Sequence, residues 1–128
     1  MDADIDLVFV ASAKDVSTLE TIVPQAYLLH VDRLDRESAR VSLRYRDTTL
    51  LHIASSVGDL LKVFLGGLSS AASVISRSRA EVRIGIFYDL TETVIFPLVL
   101  PAECVEALAA LRLSVNSTGY PCNEETSN

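Results

Sequence analysis

No tryptophan occurs in this chain of 128 residues, only 6% of it is aromatic, and it holds just two histidines and two cysteines. Each shortage excludes something. With so few rings, the core has to be built mainly from Leu, Val, Ile and Ala. Cys104 and Cys122 make neither a zinc spacing nor a redox pair. Cys104 falls in a predicted helix and reads as a small core residue, and free thiols are expected rather than a disulfide. His30 and His52 have no second histidine at metal-ligand spacing. His52 lies on the polar side of a predicted helix, where a histidine is ordinarily solvated. No phosphate-loop lysine or dinucleotide fingerprint is present. Gly66-Gly67 reads as a helix stop in which glycine adopts left-handed geometry. No apolar run approaches the ~20 residues needed to span a bilayer, and Val57 to Leu68 is interrupted by Asp59 and Lys62. The start, Met1-Asp2-Ala3-Asp4-Ile5-Asp6, is acidic where a secretory leader would be basic. A cytoplasmic protein with no membrane partner, no cofactor and no metal is expected.

What is present is apolar and acidic. The apolar fraction is 49%, enough for a packed core, and the length fits one domain. That domain is expected over residues 1–120, with a polar, flexible tail from Pro121 to Asn128. Seventeen acidic residues against eleven basic ones give a net charge of −6. Binding to nucleic acid needs cation clusters that displace counterions, so it is not expected. A basic protein partner suits this charge, because opposite potentials accelerate encounter.

Periodicity sets the elements. Ile5 to Val10 alternates as a strand, and Asp15 to Val23 reads as a short helix ended by Pro24. Tyr27 to Val31 is a second strand. In Arg40 to Arg46, Val41, Leu43 and Tyr45 point one way while Arg40, Ser42, Arg44 and Arg46 point the other. Thr49 to Leu65 carries a broad apolar stripe through Leu50, Ile53, Val57, Leu61 and Phe64, the pattern of an amphipathic helix. Ser69 to Ser78 adds a second helical piece. Val82 to Tyr88 and Thr93 to Leu100 read as a hairpin around Asp89-Leu90-Thr91-Glu92, with Pro97 marking an edge or bulge. Pro101 opens a helix and Leu113 to Ser117 closes the unit. The predicted order is β-α-β-β-α(α)-β-β-α-β. The fold class is α+β, a mostly antiparallel sheet with helices on one face, and a split βαβ arrangement of ferredoxin-like type fits it.

The residues offer little reactive chemistry. Glu103 and Glu106 share a face of the last helix, where negative charge suits the helix dipole. Asp2, Asp4 and Asp6 imitate the start of a calcium loop, but its glycine and downstream glutamate are missing. Arg40, Arg44 and Arg46, joined by Arg83, make a basic stripe that Asp32, Asp35, Glu37 and Asp47 balance. Arginine is frequent at protein-binding hot spots. The acidic tip Asp89, Leu90 and Glu92 places one apolar anchor between two carboxylates, and such tips bind partners when a rigid sheet presents them.

Several stretches carry a likeness: Val82-Arg83-Ile84-Gly85-Ile86-Phe87, Leu100-Pro101-Ala102-Glu103, Leu108 to Val115, the ending Gly119-Tyr120-Pro121, and the Leu50 to Leu65 helix. On them, about half of the chain resembles an uncharacterised bacterial family of small proteins grouped with the immunity proteins of polymorphic toxin systems. The resemblance implies a non-enzymatic inhibitor that caps a cognate toxin, and it brings no catalytic residues with it. Asp89, Leu90 and Glu92 are then expected to meet a basic toxin surface. Two other readings stand beside this one. A self-associating adaptor, such as a homodimer, or a phage-type inhibitor of a host defence protein would use a sheet edge or the Arg40/Arg44/Arg46 face. A small hydrolase would need a deep polar pocket around His30 or His52.

Overall fold

The computed structural model describes residues 2–47, 57–89, 91 and 98–122. They form an α+β unit built on one mixed sheet of five strands. In chain order the elements are β1 (Asp2–Ser12), α1 (Ala13–Ile22), β2 (Tyr27–Arg33), β3 (Ser38–Tyr45), α2 (Val57–Gly66), a 3-10 turn (Ser69–Ala71), α3 (Ala72–Arg77), β4 (Glu81–Asp89), α4 (Ala102–Ala110) and β5 (Ser114–Cys122). Among the described residues no single helix is long and apolar enough to cross a membrane.

The strand order is β2-β3-β1-β4-β5. The β2–β3, β3–β1 and β1–β4 pairs are antiparallel, and β4–β5 is parallel. The first four strands with their helices make the split βαβ arrangement anticipated above. Helix α4 then carries the chain from β4 to a parallel fifth strand, as parallel pairing requires.

Both edges of β4 are therefore occupied, one by β1 and the other by β5. This corrects the expected hairpin between Val82–Tyr88 and Thr93–Leu100. Residues 98–100 form no strand, and 92–97 lie outside the described residues. Alternation predicts that a segment pairs but not with what. Here a sequence-distant strand takes the edge that a hairpin neighbour would have used. Pro121 and Cys122, expected in the tail, belong to β5; the rest of the tail, 123–128, lies outside the described residues.

Strand alternation decides where the core sits. Ile5, Leu7, Phe9 and Ala11 of β1, Ala39, Val41, Leu43 and Tyr45 of β3, and Val82, Ile84 and Ile86 of β4 are all buried. Val16 and Leu19 of α1, Leu61, Phe64 and Leu65 of α2, Val74 and Ile75 of α3, and Cys104 and Leu108 of α4 complete the same cluster. The helices thus cover one face of the sheet. Among the described residues no polar or charged residue is buried.

Local chemistry fixes the helix ends. Ser12 accepts from the Asp15 N–H at 3.1 Å, which starts α1 at Ala13. The expectation for Gly66-Gly67 is corrected, because neither glycine has positive φ. Gly67 is required by close approach instead: a Cβ there would collide with the Tyr27 hydroxyl. That hydroxyl donates to the Phe64 carbonyl. Tyr27, Tyr45 and Phe64 pack with ring centroids 5.1–5.3 Å apart, which fixes the end of α2 on the β2–β3 side of the sheet. Among the described residues the left-handed positions belong to two arginines, Arg79 (φ 50°) and Arg112 (φ 54°). After α4, Arg112 donates to Ala109 O and Leu113 to Leu108 O, the double bond of a Schellman stop with arginine where glycine is usual.

Candidate functional site: the helix-free face of the sheet

The sheet's second face carries no described helix. The residues that alternate with the core point there: Asp4, Asp6, Val8 and Val10 from β1, Arg40, Ser42 and Arg44 from β3, Arg83, Gly85 and Phe87 from β4, Asn116, Thr118 and Tyr120 from β5, and His30 and Asp32 from β2. Strand register arranges them in rows. In one row Asp32 lies opposite Arg40, which lies opposite Val10. In the next His30, Ser42 and Val8 align. A third sets Asp6 opposite Arg83, with Arg83 opposite Asn116. Asp6 also feels the charge of Arg44 from the β3 side.

Two shallow depressions occupy this face and share Asp6 and Arg83 in their walls. One, of about 260 Å³, is bordered by His30, Asp32, Arg40 and Arg44 over Val8 and Ser42. The other, of about 450 Å³, lies over β1, β4 and β5. Asp6 is half-buried between them. Burial, and then the neighbouring Asp4 carboxylate, push its carboxyl above the usual range, against the opposing pull of Arg44 and Arg83. Arg83 donates through Nε to Glu81 Oε1 at 3.0 Å. At one end of the face Phe87 and Tyr120 stack with centroids 5.2 Å apart.

The structure brings together some of the residues singled out in the sequence. Arg40, Arg44 and Arg83 do share the face, but β1 runs between β3 and β4, so Asp6 separates Arg44 from Arg83. Arg46 lies just beyond the end of β3, where its Nε donates to Gln25 O at 3.0 Å. Asp35 accepts from the Glu37 and Ser38 N–H groups, which lowers its pKa and ties its carboxylate into the β2–β3 turn. Asp89 ends β4. Its Oδ1 accepts from the Thr91 N–H and hydroxyl, both at 2.8 Å, and these bonds hold its carboxyl below the usual range. Leu90 and Glu92, the rest of the acidic tip, lie outside the described residues, as does His52. His30 is exposed at the rim of the smaller depression.

Cys104 is a buried thiol and Cys122 an exposed one, and both are free. Burial pushes the Cys104 thiol up, away from the thiolate. Glu103 and Glu106 are exposed, with Glu103 in the first turn of α4. Among the described residues no group of three or more His, Cys, Asp or Glu is placed to hold a metal ion.

Sequence reasoning missed Asp4, Asp6, Phe87 and Tyr120 as members of one surface. The signal was present for the first pair: acidic residues two apart in a strand share a face. The second pair needed the β4–β5 pairing, which no local pattern carries. Comparison of the chain with protein-family models, with curated proteins and with solved structures finds no match.

Proposed function

We propose that this protein is a non-enzymatic binding module, an immunity-type inhibitor that neutralises a basic bacterial toxin by covering it with the helix-free face of its sheet. One observation carries the reading. A rigid, hydrogen-bonded sheet floor presents Arg40, Arg44 and Arg83, interleaved with Asp4, Asp6 and Asp32, beside a stacked aromatic pair of half-buried Phe87 and exposed Tyr120. Side chains on a sheet hold fixed spacings, so charges of both signs in rows specify orientation as well as attraction. Arginine and tyrosine are the residues that most often anchor protein interfaces. The net charge of −6 favours a basic partner at long range. The neighbourhood of Cys104 supports this reading too, since burial works against the thiolate that a nucleophile requires.

Co-expression with the protein encoded beside it in the genome tests the proposal. The expected results are a stable complex of the two chains and rescue of cells from that neighbour's toxicity. No complex and no rescue would sink it. Self-association is the second reading, and β5 motivates it: this edge strand is exposed at eight of its nine positions. Light scattering on the isolated chain separates the two, because a stable oligomer formed without partner favours self-association.

A further inference from the structure

The larger depression has the composition of a socket. On one side stand Asp4 and Asp6, two residues apart on β1. On the other stands the Phe87–Tyr120 pair, its ring planes within 19° of parallel. Between them lies Gly85, which the register places opposite Asp4 on β1 and Thr118 on β5. A Cβ on Gly85 would sit 3.2 Å from Tyr120 Cε2 and 3.7 Å from Asp4 Cβ. The missing side chain is therefore what lets the tyrosine ring lie over the β4 backbone and keeps open the space between ring and carboxylate.

The charge of this space is net negative, because two carboxylates line it against the one guanidinium of Arg83. Neither Asp4 nor Asp6 takes part in an ion pair or a hydrogen bond through its side chain among the described residues. Arg83 lines the depression as well, but its Nε is engaged by Glu81. Two carboxylates that repel each other, one of them half-buried, gain from any cation that enters. A guanidinium suits the rest of the site, because its plane stacks on an aromatic face while its N–H edge meets a carboxylate.

We propose that the depression over Gly85 is a socket for one arginine side chain of a protein partner, with Asp4 and Asp6 taking its charge and the Phe87–Tyr120 pair its planar face. The inference rests on the protein-binding reading for the origin of that arginine. The net charge of −6 adds the same preference at long range.

The probe is N-acetyl-arginine amide, titrated into the isotope-labelled full chain at constant ionic strength and followed by NMR. N-acetyl-citrulline amide, which is neutral and nearly isosteric, is the control. The arginine compound is expected to shift the amide signals of Gly85, Phe87, Thr118 and Tyr120, and the citrulline compound is expected to leave them in place. Asp4→Asn/Asp6→Asn should lose the response while keeping the dispersed spectrum of the fold. Tyr120→Leu, which keeps both carboxylates, should weaken it. Equal shifts with both compounds, no shifts around Gly85, or a full response from the double Asn variant would overturn the proposal. Failure here is distinct from failure of the broader reading. An empty socket with an intact complex with the neighbouring gene product removes the socket alone. A filled socket with no such complex removes the toxin reading alone.

Discussion

The two faces of one sheet teach opposite lessons. In β1 the odd-numbered residues Ile5, Leu7 and Phe9 are buried under helices, while Asp4, Asp6 and Val8 look out from the other side. The backbone is shared and the strands are the same. Only the identity of alternate residues divides the work, the covered face supplying stability and the open face supplying charge in register. Substitutions on the two faces should therefore separate folding from binding.

The largest effect is expected on the covered face. Phe64→Ala removes a fully buried ring from the aromatic cluster and should cost about 3–5 kcal/mol, and Leu43→Ala about 2–5 kcal/mol. Arg44→Ala, on the adjacent residue, should change stability by no more than about 0.5 kcal/mol. Urea unfolding measures all three. Equal costs for Leu43→Ala and Arg44→Ala would break the comparison.

Tyr27→Phe sharpens it by removing a single oxygen from the covered side. The Phe64 carbonyl loses its donor from Tyr27, at a cost of about 1–2 kcal/mol. It also has a pH signature. Burial first, and then Tyr45, raise the Tyr27 pKa well above its ordinary value. The unfolded chain therefore releases this proton at lower pH than the folded one. The stabilisation is complete below about pH 10 and is lost as pH rises further. Wild-type stability should fall on alkaline titration, and Tyr27→Phe should fall less steeply. Parallel curves would remove Tyr27 as the cause.

A smaller effect concerns the joint between the faces, where α4 hands the chain to β5. Arg112 holds a left-handed conformation that penalises a Cβ. Arg112→Gly should leave stability unchanged or raise it by up to about 1 kcal/mol, as read by the thermal midpoint. A clear loss would show that the arginine side chain does something there beyond occupying the turn.

On the open face, Asp6 gives a test of sign more than of size. Its folded-state pKa is raised, chiefly by burial and then by Asp4. Its contribution to stability is therefore greatest at low pH and declines as pH rises from about 4 through the raised value. Asp6→Asn should be more stable than wild type at pH 7, and the gain should vanish near pH 3. A variant less stable than wild type at pH 7 would mean that Arg44 and Arg83 outweigh desolvation.

Much of the covered face was legible in the sequence. The apolar alternation of Val41, Leu43 and Tyr45 and of Val82, Ile84 and Ile86 identified both the strands and their inward sides, because burial acts at the same period as the pleat. Arg40 and Arg44 were readable as outward for the same reason. What was not legible depends on contacts between distant segments. The parallel β4–β5 pairing leaves no local mark, so the edge of β4 was assigned to the following segment. Gly67 carried the composition of a left-handed stop, yet its role is to admit Tyr27, forty residues away in the chain. Phe87 and Tyr120 became a pair only once both strands had places in the sheet.

Which face of the molecule meets the partner decides whether the open sheet is the binding surface. Calorimetric titration of the neighbouring gene product against Arg40→Ala/Arg44→Ala, with Lys62→Ala on the helical side as control, measures this directly. The predicted result is a loss of affinity of about tenfold or more for the double variant, an unchanged unfolding midpoint, and wild-type binding by Lys62→Ala. Full affinity in the double variant, with binding lost in Lys62→Ala, would place the interface on the helices and contradict the assignment of function to the open sheet.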